Sequence, residues 1–267
     1  ARKYNTDKMS CIDNPELMLR ELRRNGLYVI GRIAVFRDEC LAKRDPSLAI
    51  RSRRSGTAWA AGKGELWCDP TNRSVQDYNL ALAIEMADMG FDEVQFDYIR
   101  FPTGGDVSDA VFANHFGARS REENITAYLD RVYPELKKRG TFFSIDIFGV
   151  VAWGKEVDIR KTGQRIELLA GHCDVISPML YPSHFNDDFD GYSRPGDEPY
   201  YFISEGCRKV ITLAGTKSSV RPWLQAFGWR VSKYNERYIT EQVRGSNDSG
   251  AAGYLFWNAS NNYDTVL

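Results

Sequence analysis

The sequence predicts an α/β fold, a (β/α)8 barrel of the TIM type, and two observations carry this prediction. Strand-like and helix-like segments alternate along the chain, as they do where parallel strands are joined by helices. The length of 267 residues suits one such barrel, and the sequence lacks the Gly-x-Gly-x-x-Gly turn of the doubly wound alternative. We therefore interpret residues 1–267 as a single barrel domain of catalytic type.

Seven segments have the composition of strands, because β-branched and aromatic residues are enriched in them and turn residues end them. In chain order they cover residues 28–36, 65–70, 90–102, 141–149, 174–182, 221–227 and 253–258. A closed barrel of this type has eight strands. We therefore expect strand 1 and the last helix of the barrel to be missing from this chain.

Helices are predicted at residues 15–25, 74–89, 121–139, 160–170, 200–213 and 235–244. Asn14 before Pro15 predicts the start of the first helix, and Gly26 predicts its end. Apolar residues at helical spacing predict a buried face on the second helix. Ser120 and Glu123 have the spacing of a capping box at the start of the third.

Composition argues against several classes of partner. The 35 Lys and Arg residues are balanced by 36 Asp and Glu residues, so we expect no nucleic-acid partner. No apolar run approaches the ~20 residues of a membrane span. Residues 1–10, ARKYNTDKMS, lack the apolar core of a signal peptide, so a secreted or cell-envelope location would require a targeting segment outside this chain.

Neither a disulfide framework nor a metal centre is predicted, and no cofactor is expected. The five cysteines are dispersed without a Cys-x-x-Cys pair, and the three histidines lie far apart in the sequence. Aromatic residues, in contrast, make up 13% of the chain. Several lie near strand ends, where flat rings can either stack on sugars or serve as ordinary core residues.

The chemistry is expected at the carboxyl ends of the strands, where barrel enzymes carry their active sites. Four successive predicted strands have an aspartate at or near this end: Asp38, Asp69, Asp97 and Asp146. Such aspartates can also cap helices or tie loops, and this alternative is stronger for Asp38 and Asp69, which lie in ordinary turn dipeptides. Asp97 and Asp146 differ from them because each lies inside an apolar strand.

Alternation along a strand turns these two carboxylates toward the barrel interior. In GFDEVQFDYIRFP, Gln95 and Asp97 share the inward face, while Val94 and Phe96 should pack on helices. The same rule turns Asp146 inward. A buried carboxylate requires a partner, and Arg32, inward by the same alternation in its own strand, is the expected counter-charge.

Two carboxylates that face one sugar-sized gap suit the cleavage of a glycosidic bond. One carboxylic acid protonates the leaving oxygen, and the other carboxylate acts as nucleophile or base. A separation near ~5 Å predicts retention of anomeric configuration, and a separation of ~6.5–9.5 Å predicts inversion. The sequence leaves both outcomes open.

Further polar and aromatic residues near the strand ends are candidates for substrate binding: Arg32, Asp38, Trp67, Asp69, Arg100, Tyr181, His184, Trp223, Gln225, Trp257 and Asn258. Amides and an imidazole can hold hydroxyl groups, and indoles can stack on a pyranose face. For His184 a loop or capping role is equally open. Arg100 has the parity of the outward residues, so either the chain turns it back over Asp97 or it is a structural anchor.

Several motifs, taken in order, resemble a known family. FDEVQFDYIRFP, with YVIGRIAVFRDE, LWCDPTNRSVQDYN, SIDIFG, DVISPMLYPSH, RPWLQAF and GYLFWNASNNY, is similar to the bacterial glycoside hydrolase domain family marked by its FDYIRFP motif. The resemblance covers residues 28–263. That family, a domain of unknown function, resembles the alpha-amylase-like (β/α)8 hydrolases.

The resemblance implies roles for the two aspartates. Asp97 falls where amylase-like barrels carry the nucleophile, at the end of strand four, and Asp146 falls where they carry the acid/base, at the end of strand five. Two positions depart from that pattern: amylase-like enzymes have Glu at the acid/base position, and they have Asp on strand seven where this chain has Gln225.

We therefore hypothesise a glycoside hydrolase that acts on a polysaccharide or cell-envelope glycan, with Asp97 as nucleophile or base and Asp146 as general acid. The alternative is a carbohydrate-binding barrel without catalysis, motivated by Gln225 and the missing first strand. A barrel enzyme of another class, such as a deacetylase or lyase, is a third hypothesis. The expected partner is an oligo- or polysaccharide, and the oligomeric state stays open.

Overall fold

A computed structural model describes residues 12–115 and 117–266. Cys11, and residues 1–10 on which the expectation about a signal peptide rests, lie outside the described residues. The strands are β1 (Ile30–Ala34), β2 (Arg51–Ser52), β3 (Glu93–Asp97), β4 (Ala110–Val111), β5 (Phe142–Phe148), β6 (Val175–Met179), β7 (Ser219–Val220), β8 (Trp223–Gln225) and β9 (Leu255–Trp257). The α-helices are α1 (Pro15–Arg24), α2 (Glu39–Arg44), α3 (Arg73–Met89), α4 (Arg121–Lys137), α5 (Glu156–Thr162), α6 (Ile166–Leu169), α7 (Pro199–Ala214) and α8 (Glu236–Asp248).

The predicted helix signals act as expected. The side chain of Asn14 accepts a hydrogen bond from the backbone N–H of Leu17 at the start of α1. Ser120 and Glu123 form the complete capping box at the start of α4. These caps satisfy backbone donors that have no partner inside a helix, which fixes where each helix begins.

The chain divides into two compact units. The first unit comprises Ala1–Ile145 with Arg160–Gln164, and the second comprises Asp146–Ile159 with Arg165–Leu267. Strand β5 therefore starts in the first unit and ends in the second.

In the first unit, β1, β3 and the start of β5 form a parallel sheet in that order. Gln95 of β3 is in register with Arg32 of β1. On the other face of β3, the ring of Phe96 lies 6.0 Å from the ring of Tyr128 in α4 and 4.9 Å from that of Phe143. The predicted alternation is confirmed, because the aromatic side of β3 packs on a helix.

The strand predicted at residues 65–70 is wrong. Strand β1 pairs directly with β3, and the segment 65–70 makes only isolated bridges, such as that between Ala49 and Cys68. Most of its backbone partners lie in the long polar segment before it, where Ile50 N donates to Trp67 O at 2.9 Å, and Cys68 N donates to Phe36 O at 2.8 Å. The segment therefore closes a loop instead of adding a strand to the parallel sheet.

In the second unit, the strands run in the order β5, β6, β8 and β9, with β7 beside β6. The pairings of β7 and β8 with β6, and of β9 with β8, are parallel. A buried cluster of apolar side chains joins α7 to the ends of β6 and β8: Leu180, Phe202, Ile203, Cys207 and Leu224. Both units thus have parallel strands connected by helices, which confirms the predicted α/β fold class.

The single helix predicted at residues 160–170 is wrong in its bounds. Helices α5 and α6 are separate, and Gly163 lies between them with φ +77°. A Cβ at Gly163 would also lie 3.0 Å from Arg121 O, so a larger residue would be strained there. The sequence predicted one helix because its helical pattern continues through Gly163.

Residues 160–164 belong to the first unit although residues of the second unit precede them in the chain. Thr162 O accepts a hydrogen bond from Phe101 N at 2.8 Å. Gln164 Nε2 donates to Ile99 O at 3.2 Å. This short segment therefore supplies backbone partners to the residues that follow β3.

None of the described helices is long and apolar enough to cross a membrane. The cysteines among the described residues are free thiols, of which Cys40 is exposed and Cys68, Cys173 and Cys207 are buried.

The contact between Gly149, which follows β5, and the end of β6 predicts a sensitive position. A Cβ at Gly149 would lie 2.4 Å from Met179 O. Because backbone cannot rotate away as a side chain can, we expect Gly149→Ala to lower the free energy of unfolding by about 1–3 kcal/mol, measured by urea denaturation. Gly104→Ala is the matched control, since nothing lies within 4 Å of a Cβ there. Equal stability of the two variants would contradict the prediction.

Candidate active site

Asp97 is the last residue of β3 and is 4% exposed. Its carboxylate forms an ion pair with the guanidinium of Arg32 on β1, which confirms the predicted counter-charge. Its Oδ1 also accepts a hydrogen bond from the backbone N–H of Tyr98 at 2.6 Å. The carboxylate is therefore held from two sides.

Burial and charge act in opposite directions on Asp97. Burial raises the pKa of this carboxyl above its ordinary value, while Arg32, the Tyr98 N–H, Arg100 and Arg37 each oppose that rise. Three guanidinium groups thus favour the carboxylate that desolvation disfavours. This is the balance expected of a carboxylate that must be buried and still carry charge.

The backbone at Tyr98 explains the position of Arg100. Tyr98 has φ 52°, so the strand alternation ends at Asp97 and no longer fixes the direction of the residues that follow. Arg100 is buried, with its guanidinium 4.9 Å from the ring of Trp67 and 5.3 Å from the ring of Tyr98. Burial lowers its pKa to about 10, and the charge of Asp97 opposes this shift. Arg100 therefore acts on Asp97 through its charge and is anchored between two rings.

Arg37 and Tyr98 also belong to this cluster, and the sequence analysis did not select them. Arg37 Nη1 donates to the Tyr98 hydroxyl at 2.6 Å, and Arg37 Nη2 donates to Glu65 Oε1 at 3.0 Å. Both residues follow a strand end, Arg37 after β1 and Tyr98 directly after Asp97. Their position near the carboxyl ends of strands was the signal that could have identified them.

Below Asp97 the interior face of the first unit stays polar. Glu93 accepts hydrogen bonds from the hydroxyl of Ser144 on β5 and, at 3.1 Å, from the hydroxyl of Tyr28. Glu93 and Asp97 lie on the same face of β3. Both are buried, and each has its own hydrogen-bond partners.

Asp38, Asp69 and Trp67 have structural contacts in the first unit. Asp38 caps α2, accepting from Leu41 N at 2.9 Å. Asp69 is buried and accepts from Thr71 N at 2.8 Å, Thr71 Oγ1 at 2.7 Å and Ala113 N at 2.6 Å. Trp67 is 4% exposed and packs under Arg100. The contacts of Asp38 and Asp69 are those of aspartates that cap a helix or tie a loop. A substrate-binding role for Asp38, Asp69 and Trp67 stays a prediction.

In the second unit, Asp146 lies in β5 and is 2% exposed. Its Oδ1 accepts a hydrogen bond of 2.8 Å from the indole Nε1 of Trp223, the first residue of β8. The ring of Trp223 lies 6.0 Å from that of Trp257 in an edge-to-face arrangement. Trp223 therefore positions the Asp146 carboxylate through its N–H, and its ring packs against Trp257.

Gln225 and Asn258 are engaged in backbone contacts. Gln225 is fully buried; its Oε1 accepts from Ser183 N at 3.1 Å and its Nε2 donates to Phe227 O at 2.8 Å. Asn258 Nδ2 donates to Ala226 O at 2.5 Å. Both amides therefore hold the turns that follow β6 and β8.

Four rings cluster after the carboxyl ends of β6 and β8. The ring of His184 lies 5.2 Å from Tyr181, 5.8 Å from Phe227 and 5.2 Å from Trp229. Burial lowers the pKa of His184, and the charge of Arg230 lowers it further. Trp229 is 56% exposed and was not selected in the sequence, although a tryptophan in a turn after a strand end was a visible signal.

Comparisons with known proteins identify both a family and a fold. The family model described as "Putative glycosyl hydrolase domain" matches residues 1–263. No curated protein sequence matches the chain. A hypothetical protein from Ruminiclostridium thermocellum ATCC 27405 is 33% identical over 50% of this chain and 65% of its own, with a TM-score of 0.45.

Two further solved structures match nearly the whole chain. The PgaB (BpsB) glycoside hydrolase domain from Bordetella bronchiseptica is 14% identical, covering 97% of this chain and 78% of its own, with a TM-score of 0.65. TtGalA, an alpha-galactosidase from Thermus thermophilus in complex with p-nitrophenyl alpha-D-galactopyranoside, is 12% identical, covering 94% of this chain and 46% of its own, with a TM-score of 0.57. The chain spans less than two thirds of the length of the Ruminiclostridium and Thermus proteins. Its similarity to the Bordetella and Thermus structures is a similarity of α/β fold.

The ion pair predicts how Asp97 titrates. Because the charge of Arg32 lowers the pKa that burial raises, we expect Arg32→Gln to move the pKa of Asp97 further upward. The titration is followed by the ¹³C shift of the side-chain carboxyl, identified by its loss in Asp97→Asn. Arg131→Gln, which breaks a comparable pair with Asp77, is the control and should leave Asp97 unchanged. An unaltered titration in Arg32→Gln would show that the pair does not stabilise the charged form.

Proposed function

Since the chain belongs to the "Putative glycosyl hydrolase domain" family, we propose that it hydrolyses glycosidic bonds by a two-carboxylate mechanism, with Asp97 as nucleophile or base and Asp146 as general acid. The substrate is a polysaccharide or a cell-envelope glycan. The fold shared with the Bordetella glycoside hydrolase domain and the Thermus alpha-galactosidase supports this class of reaction.

The observation that carries the proposal is the environment of Asp97. A nucleophile or base must be ionised. Burial raises the pKa of Asp97, and Arg32, the Tyr98 N–H and Arg100 each act against that rise and so favour the ionised form. The donors to Asp38 and Asp69 are backbone N–H groups and a threonine hydroxyl, whereas Asp97 is paired with a guanidinium.

The chemical steps follow from these roles. Asp146 gives its proton to the glycosidic oxygen as the bond to the anomeric carbon breaks. Asp97 either attacks that carbon and forms a glycosyl-enzyme ester, which water then cleaves, or removes a proton from the water that attacks. In both routes the charge that develops at the sugar ring is positive, so an anionic Asp97 stabilises the transition state.

Removal of either carboxylate tests the assignment. We expect Asp97→Asn and Asp146→Asn each to lower kcat/KM by about 10²- to 10⁴-fold on a glycan that the wild type cleaves, measured as release of reducing ends. Asp45→Asn is the matched control, because this exposed aspartate caps a short 3₁₀ turn and asparagine caps equally well. Full activity in both active-site variants would overturn the mechanism.

The same experiment addresses the alternative of a carbohydrate-binding barrel. Gln225 motivates it, because this residue is engaged with Ser183 and Phe227 where amylase-like enzymes carry an aspartate. Glycan binding without release of reducing ends, unchanged in Asp97→Asn, would favour that alternative over hydrolysis.

The indole of Trp223 provides a second test, in which it acts as a positioning residue. Trp223→Phe keeps a ring but removes the N–H that holds Asp146. The N–H stabilises the carboxylate that forms as Asp146 gives up its proton, so its loss should lower kcat by about tenfold or more, and KM should change little. Trp59→Phe, which removes an indole donor to Asp106 O elsewhere in the chain, is the control. A rise in KM with unchanged kcat would show that Trp223 contributes binding alone.

A further inference from the structure

Trp229 combines wide exposure with a fixed backbone. Its side chain is 56% exposed in the turn that follows β8. A single exposed aromatic residue is common on protein surfaces and by itself indicates nothing. The turn around Trp229, however, is held by contacts that an ordinary surface turn does not require.

The neighbouring residue Arg230 provides the first set of these contacts. Its backbone has φ 53°, a conformation that residues other than glycine rarely adopt. Its guanidinium donates to Ser183 O at 3.3 Å, Phe185 O at 3.4 Å and Asp187 Oδ1 at 2.6 Å. One side chain thus ties the turn after β8 to the turn after β6.

Two more contacts fix the same turn. Arg230 O approaches Gly196 so closely that a Cβ there would lie 2.2 Å away, so only glycine permits the approach. Asp197 accepts hydrogen bonds from both the backbone N–H and the hydroxyl of Ser232, each at 2.7 Å. The backbone that carries Trp229 is therefore fixed on its C-terminal side by the contacts of Arg230 with Gly196 and of Ser232 with Asp197.

The rings beside Trp229 extend this exposed surface. The ring of His184 lies 5.2 Å from that of Trp229, and the guanidinium of Arg230 lies 5.5 Å from the same indole. Phe227, half-buried, lies 5.8 Å from His184. His184 Nδ1 lies 3.4 Å from Ser183 Oγ, so the nitrogen offered to a ligand hydroxyl beside the indole is Nε2.

We infer that Trp229 is a sugar-stacking subsite, in which the indole packs on the apolar face of a pyranose ring and His184 binds one of its hydroxyl groups. This deepens the proposed function and rests on it, since it assigns one residue of substrate recognition to the carboxyl ends of β6 and β8. An indole held in place before the ligand arrives loses little conformational entropy on binding, which is the advantage that the strained and braced turn provides.

Binding is tested in the Asp97→Asn protein, so that no cleavage occurs during the titration. Maltohexaose, cellohexaose and chitohexaose are the probes, and the indole N–H resonance that disappears in Trp229→Phe identifies Trp229. We expect this resonance to shift with at least one probe, and Trp229→Ala to weaken the Kd of that probe by about 2- to 10-fold. Tyr254→Ala is the matched control, because Tyr254 is 37% exposed but precedes the amino end of β9.

Two results would overturn the inference: no probe moves the Trp229 resonance, or the Kd is the same in Trp229→Ala. Circular dichroism of each variant shows that the fold is intact. These measurements distinguish an error in the subsite inference from an error in the proposed function. A shifted indole in a protein that cleaves no glycan contradicts hydrolysis alone, whereas cleavage with unchanged KM in Trp229→Ala contradicts the subsite alone.

Discussion

The ion pair between Arg32 and Asp97 is the interaction on which the interior of the first unit depends. A carboxylate removed from water carries a desolvation penalty of several kcal/mol unless a charged partner and hydrogen-bond donors replace the solvent. Arg32 supplies the charge from the neighbouring strand, and the N–H of Tyr98 supplies a donor. Directly after Asp97 the backbone of Tyr98 has φ 52°, and the buried guanidinium of Arg100 lies 4.9 Å from the ring of Trp67 and 5.3 Å from that of Tyr98.

The second unit organises its strand ends by a different means. Here neutral amides work beside the Arg230 guanidinium. Gln242 accepts from Gln225 N at 2.7 Å and donates to Gln225 O at 2.9 Å, which fastens α8 to β8. The side chain of Gln225 then holds the turn at Ser183. An amide has both a donor and an acceptor, so it can join two backbone segments without leaving a buried charge.

Much of the fold could be predicted because its signals are local. The caps at Asn14 and Ser120 and the alternation in β3 each depend on residues within one turn or one strand. Arg32 is 65 residues from Asp97, and only its inward alternation within its own strand predicted the pairing. The segment 65–70 could not be placed, because its composition is that of a strand and only its long-range backbone partners exclude it from the sheet. The position of Trp229 after a strand end was a local signal, but the contacts that fix its turn come from a segment more than 30 residues earlier in the chain, which the sequence pattern does not reveal.

The return of residues 160–164 to the first unit has a consequence for how this chain can be divided. A fragment cut at the end of Ile145 would retain β1, β3 and Asp97, yet it would lose the carbonyl of Thr162 and the amide of Gln164. The backbone at Phe101 and Ile99, next to Arg100, would then be left to solvent. The two units are interleaved along the chain, so neither is a module that recombination or truncation could transfer intact at a single breakpoint.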